Sequence, residues 1–304
     1  MAGRLGLHLV HLQIRVFTRH PGWKGTRRDG RTAEEANVRW FEALILGLLQ
    51  GLTEFLPISS SGHLVLVPAL LGWAEPALVF DTTVHLGTLV AVLAVFWRDL
   101  LAMTRAWWHG LRRRRPLETP EARLAWWIIL GTVPAAVAGY FLEGTFEQLF
   151  GNPRAVGAFL LGTALLLLLA ELRGRRRREL TEMTWLDALL IGIGQAAAIA
   201  PGFSRSGTTI ATAMLRGVKR KAAARFSFLL SVPIVAGTGL YKLARLLAHT
   251  EGHLSVPPLL TGFLAAALAG YAAIRLLLAY LRHRPLYPFA AYCAVVGVLA
   301  LLVF

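Results

Sequence analysis

The chain has little charge and almost no cysteine. Of its 304 residues only 16% are Asp, Glu, Lys or Arg, against roughly 25% in an ordinary soluble domain. Acidic residues are scarcest: 17 Asp and Glu stand against 32 Lys and Arg, a formal charge of +15. The single cysteine, Cys293, lies inside an apolar run, which excludes a disulfide framework and a cysteine-built metal cluster. Hydrophobic side chains fill the gap, at 56% of the sequence. In a soluble protein such an arginine excess would point to nucleic acid. Here the arginines are spread over separate short loops with no aromatic stacking platform, so no nucleic-acid partner is expected.

Apolar stretches long enough for the roughly 20 residues a bilayer requires lie near 77–97, 124–142, 154–172, 226–247, 259–281 and 286–304. They predict six transmembrane helices. Two more apolar stretches, near 43–72 and 186–215, are interrupted by Pro57 with Ser59, Ser60 and Ser61, and by Pro201 and Gly202 with Ser204, Arg205 and Ser206. Such breaks free backbone groups that lipid cannot satisfy, so each predicts a re-entrant helical hairpin buried in protein or facing a watery cavity. Basic blocks at 112–115, 173–178, 216–225 and 282–284 alternate with stretches 143–153 and 248–258 that carry no Lys or Arg. That alternation puts the basic loops in the cytoplasm, with Arg216 and Arg220 snorkelling to the interface. Lys242 and Arg245 are read as snorkelling at the opposite side. Residues 1–37 are basic and fit neither this topology nor a secretory signal. They are read as an extension preceding a membrane domain of 38–304, with Val38 as the expected start.

The two interrupted stretches resemble each other. At an offset of 145, Gly47, Gln50, Ser59, Ser61 and Gly62 recur as Gly192, Gln195, Ser204, Ser206 and Gly207. Each stretch precedes half of the six spans, and an odd number of crossings per unit inverts the second copy. The expected fold is an all-α integral membrane protein, six transmembrane helices and two re-entrant helical hairpins in an inverted-topology repeat. Repeat 1 covers about 41–172 and repeat 2 about 186–304, with the hairpins meeting near the midplane.

Chemistry concentrates in the hairpins. Gln50 and Glu54 share a helical face, followed by three serines and His63. An ionisable pair in an apolar segment is costly and marks a functional site. The glutamate suits either a divalent cation, through oxygen ligands, or a general base. In the second hairpin Arg205 lies among Ser204, Ser206 and Thr209 just before a new helix. A guanidinium and backbone N–H groups at a helix start are the parts of a phosphate clamp. Together the loops suit phosphoryl transfer on a lipidic substrate. A lipid carrier uses similar broken helices, but needs only the clamp. Asp81 and His85, spaced i, i+4 on the first span, are read as an interhelical hydrogen-bonding pair.

At these stretches the chain resembles the bacterial undecaprenyl pyrophosphate phosphatase family, also called bacitracin-resistance proteins. One motif corresponds to Gln50, Glu54, Pro57, Ser59, Ser60, Gly62 and His63, the other to Pro201, Gly202, Ser204, Arg205, Ser206, Gly207 and Thr209. The resemblance extends over roughly Val38–Phe304, including Phe80, Asp81, Leu86, Gly87 and Thr88. It implies hydrolysis of a polyprenyl diphosphate, undecaprenyl pyrophosphate, to the monophosphate in the bacterial inner membrane, at a site facing the periplasm. It further implies bacitracin resistance and a divalent cation, Mg2+ or Ca2+, with Glu54 as candidate ligand and Gln50 as a weaker one. A homodimer is left open. Where the family often has Glu, this chain has Gln50, an amide that cannot be a base, so the base or metal role moves to Glu54. Ser60 is the expected nucleophile, activated by Glu54 or His63, with His63 also placed to protonate the leaving oxygen. Attack by His63 itself or by water stays open. Arg205 with Ser59, Ser204, Ser206 and Thr209 would hold phosphate oxygens, supported by Gln50, Gly62, Pro201, Gly202 and Gly207.

Overall fold

The computed structural model describes residues 38–74, 76–150, 152–249 and 256–304. The extension expected at 1–37 lies outside the described residues, as do the side chains of Lys242 and Arg245. The described chain is helical. The first interrupted stretch forms α1 (Trp40–Phe55) and α2 (Ser60–Leu71), followed by α3 (Leu78–Arg112), α4 (Pro120–Phe150) and α5 (Pro153–Arg173). The second forms α6 (Trp185–Ala197) and α7 (Arg205–Leu215), followed by α8 (Arg220–His249), α9 (Val256–Tyr280) and α10 (Tyr287–Val303). The chain therefore breaks where Pro57 and Pro201 predicted.

Among the described residues five helices are long and apolar enough to cross a membrane: α3, α4, α5, α8 and α9. The sixth expected span, α10, has 17 residues and is about 25 Å long at 1.5 Å per residue, slightly less than a bilayer core of about 30 Å. Helix α3 carries non-helical backbone at Phe96, where the expected span 77–97 ends and the Arg-bearing half begins. Tyr140, Phe141, Leu268 and Leu302 are each more than 70% exposed, whereas Gln50, Glu54, Glu171 and Asp187 are buried. An apolar outside around a polar inside is the arrangement of a multi-pass membrane protein.

Helix α1 packs on α9 and its counterpart α6 packs on α4, while α3 meets α8 and α5 meets α10. The first two contacts use glycine in the same way. A Cβ on Gly47 would lie 2.5 Å from the Gly262 carbonyl oxygen, and one on Gly192 would lie 2.5 Å from that of Gly131. Close backbone approach through small residues is how helices associate where lipid removes the hydrophobic drive. Gly47→Leu should therefore force α1 from α9 and lower stability by at least about 1–3 kcal/mol, read as a lower thermal unfolding midpoint in detergent. An unchanged midpoint would contradict this packing.

At the ends of α6, α7 and α8 remote from the break, two acidic side chains collect the basic loops. Buried Asp187 accepts hydrogen bonds from Arg178 (2.7 Å), Arg216 (2.8 Å) and the Thr184 N–H (2.8 Å). Buried Glu171 accepts from Arg220 (2.7 and 2.5 Å), from the Leu286 N–H (2.8 Å) and from Arg176. Arg216 and Arg220, expected to snorkel, are instead turned onto carboxylates. The reason is that a buried carboxylate without a partner is strongly destabilising.

Candidate active site

The two breaks are built alike and touch. Ser59 caps α2 by accepting the Gly62 N–H (3.2 Å), and Ser204 caps α7 by accepting the Gly207 N–H (3.0 Å). Serine is a preferred cap because its hydroxyl satisfies a donor the helix leaves open. Gly202 has φ 98°, which favours glycine, and a Cβ there would lie 2.4 Å from the Val156 carbonyl oxygen. Thr163 of α5 pins the turn, donating to the Gly202 carbonyl (3.1 Å) and accepting the Ser204 N–H (3.0 Å). The Ser206 hydroxyl then donates to the Leu56 carbonyl (3.0 Å), joining the second break to the first. In the first break Ser59 itself has φ 72° and ψ 98°, a conformation that costs a non-glycine residue on the order of 1–3 kcal/mol and persists only when its surroundings over-determine it.

Glu54 is the hub. Its Oε1 accepts from Arg205 Nη2 (2.9 Å), and its Oε2 accepts from the Ser60 hydroxyl (2.5 Å) and from Gln50 Nε2 (2.9 Å). One carboxylate thus joins the acidic hairpin to the arginine hairpin and holds a serine proton. The other guanidinium nitrogen, Arg205 Nη1, is buried with no hydrogen-bond partner. Beside this hub opens a cavity of about 210 Å3, whose polar wall includes Glu54, Ser59, Ser60, His85 and Arg205 and whose apolar wall includes Phe203 and Ile234. A buried donor without an acceptor, next to a carboxylate-bound hydroxyl, is arranged to receive an anion.

The histidines divide differently from the sequence-based expectation. His63 does not line the cavity. Its Nδ1 lies 2.6 Å from the Ser59 carbonyl oxygen and its Nε2 lies 2.7 Å from the Tyr292 hydroxyl. A carbonyl only accepts, so Nδ1 carries a proton, and Nε2 is paired with the tyrosine hydroxyl; both ring nitrogens are engaged within the protein. His85, expected to be an interhelical pair with Asp81, lines the cavity. Its Nδ1 lies 2.7 Å from the Asp81 carbonyl oxygen and 3.4 Å from Asp81 Oδ1, so the pair forms within one helix, and its Nε2 lies 4.0 Å from Glu54 Oε2. The second ring nitrogen therefore faces the Glu54 carboxylate.

The clamp is also smaller than expected. Ser59, Ser204 and Arg205 reach the cavity wall, whereas Ser206 bonds Leu56. Thr209 donates to the Arg205 carbonyl (2.7 Å) and meets Ser227 (2.7 Å), so both brace the loop. Thr163, Ser227 and Tyr292 lie far along the chain from either motif and carry no local signal. His85 did carry one, a titratable ring beside an acid at the start of the span that follows the first break.

Among the described residues no three His, Cys, Asp or Glu side chains gather as a metal site. Both Glu54 oxygens are engaged, and Gln50, with its Oε1 unpartnered, is fully buried off the cavity wall. The residues present do not fit a cation held by the protein alone.

The profile of the family described as bacitracin resistance protein BacA matches residues 43–299. A protein of Thermomicrobium roseum named undecaprenyl-diphosphatase is 43% identical over 270 residues, covering 86% of this chain and 97% of its own. Proteins of the same name from Geotalea daltonii and Geobacter sulfurreducens are 45% and 46% identical, over 86% and 84% of this chain and 97% and 94% of theirs.

Proposed function

The chain belongs to the bacitracin resistance protein BacA family, and from that premise we propose that its cavity removes the terminal phosphate of undecaprenyl diphosphate. The protein is an undecaprenyl-diphosphatase: it releases undecaprenyl phosphate and inorganic phosphate. That returns the lipid carrier to peptidoglycan and envelope polymer synthesis and gives bacitracin resistance. The observation that carries the site is the divided guanidinium of Arg205, a side chain on the cavity wall with one nitrogen on Glu54 and the other buried without a partner.

Ser60 Oγ attacks the terminal phosphorus while its proton passes to Glu54 Oε2, already 2.5 Å away. The bond from phosphorus to the bridging oxygen breaks and undecaprenyl phosphate departs. Arg205 Nη1 takes up charge on the phosphoryl oxygens, where such transfer gains most of its acceleration. Water then attacks the phosphoserine, its proton goes to His85 Nε2, and Glu54 returns the first proton to Ser60. The apolar wall receives the first isoprene units. A divalent cation, Mg2+ or Ca2+, would be brought by the substrate and not held by this chain's residues, and would supply charge neutralisation beside Arg205.

The same reading places six crossings, α10 included, and two re-entrant hairpins as an inverted repeat in the inner membrane, with the cavity open to the periplasm. Its support is the alternation of loop charge and the matched glycine contacts of α1 and α6.

Purified protein in detergent, where no gradient exists, should release phosphate from undecaprenyl diphosphate. Absence of release, with diphosphate lipid crossing vesicle membranes instead, would make it a carrier and overturn the reading. His85→Ala should slow turnover about 10²-fold, at the lower end of general base contributions, and should let phospho-enzyme accumulate. Slow turnover without accumulation would remove His85 from the second step.

A further inference from the structure

We infer that His63 and Tyr292 form a brace that holds Ser59 in its positive-φ conformation and so aims Ser60, making both positioning residues with no part in proton transfer. This rests on the reading of Ser60 as nucleophile. Ser59 immediately precedes Ser60, and its φ of 72° is one that L side chains disfavour. The conformation must be held from outside. The Ser59 carbonyl receives two donors from one residue, the His63 ring at 2.6 Å and the His63 backbone N–H at 3.2 Å. The ring in turn is held by the Tyr292 hydroxyl at 2.7 Å and stacked on the Tyr292 ring, with centroids 5.6 Å apart and planes 11° from parallel.

Tyr292 lies on α10, at the far end of the chain, and its neighbour Cys293 reaches the same break, Sγ standing 3.5 Å from the Pro57 carbonyl oxygen. One helix therefore grips the loop at two points, and only the ring contact leads to the nucleophile. Protonation bookkeeping separates a brace from an acid. With one ring nitrogen committed to a carbonyl and the other to a phenol, both nitrogens of the buried ring are used within the protein.

The test uses the two amides that mimic the two ring nitrogens. Asparagine places its N–H near the Nδ1 position and can keep the bond to Ser59; glutamine reaches only toward Nε2. In a phosphate-release assay His63→Asn should keep kcat within about tenfold of wild type and His63→Gln should lose about 10²-fold, the scale of a small misplacement of a reacting group. KM should stay unchanged in both, and the Asn variant should keep the wild-type pH profile. Equal, deep losses in both variants, or a changed pH profile in Asn, would overturn the brace in favour of acid–base chemistry. Tyr292→Phe should lower kcat several-fold in the wild-type background and not at all on top of His63→Asn, the coupling expected if it acts only through the ring. Additive losses would overturn it, and this arm remains readable if His63→Gln fails to fold. If Ser60→Ala is inactive while Asn and Gln behave alike, the brace alone fails. If Ser60→Ala turns over like wild type, the nucleophile reading fails.

Discussion

Phosphate release by Arg205→Ala should fall by about 10³ to 10⁵-fold, the range for removing an arginine that neutralises a transferring phosphoryl group. The size follows from the two tasks of this side chain. Nη1 is a buried donor without a partner on a side chain that lines the cavity, and Nη2 holds Glu54 at 2.9 Å while the same carboxylate accepts the Ser60 hydroxyl. Arg205→Lys keeps the charge but offers a point in place of a planar fork, so it can serve the carboxylate or the substrate and not both. It should still be lowered by about 10² or more, on the same scale. Steady-state phosphate release in detergent checks both variants, with a thermal unfolding curve to confirm folding. Near-wild-type turnover in Arg205→Ala would dismantle the assignment of the site.

Ser60→Ala should cost more, between about 10⁴ and 10⁶-fold, the scale for losing a nucleophile that works as a unit with its base. Glu54→Gln should lose about 10² to 10⁴-fold, because an amide cannot accept the Ser60 proton and presents an N–H to Arg205 in one of its two orientations. Members of one unit are not additive, so the double variant should be no slower than Ser60→Ala alone. Rapid quenching with labelled diphosphate should place phosphate on Ser60 in wild type and nowhere in Ser60→Ala. Label on another residue, with turnover preserved, would reassign the nucleophile.

Glu54, Ser60 and Arg205 could be picked out before any coordinates because each is a polar intruder in an apolar stretch, where lipid makes such residues expensive. The two breaks could be placed for a related reason, since proline and glycine announce backbone that must be satisfied within the protein. The histidines show where that logic stops. His63 belongs to the serine motif and His85 does not, yet α3 completes the cavity wall, so nearness in sequence did not show which ring lines the cavity. Which nitrogen faces the substrate depends on what the other nitrogen bonds, and those partners are a strained carbonyl, a tyrosine at the far end of the chain and the first turn of α3. The basic loops misled in a similar way. Counting arginines gives a sidedness, but the carboxylates that fix Arg216 and Arg220 sit on helices their own segments do not contain. The length of α10, shorter than its apolar run suggested, is set by the turn through Pro285 and Leu286 that Glu171 anchors.

The Glu171 and Asp187 clusters bear on which end of the bundle can move. They sit at the ends of α6, α7 and α8 opposite the cavity, and between them they fasten the end of α5, the start of α8 and the turn before α10. A protein that alternated its opening would have to part all of these joints together, and it would expose two buried carboxylates in doing so. The end of the bundle away from the cavity is thus the tied one. Any motion that parted these joints would therefore cost far more than motion at the cavity end, where the two serine-capped breaks meet.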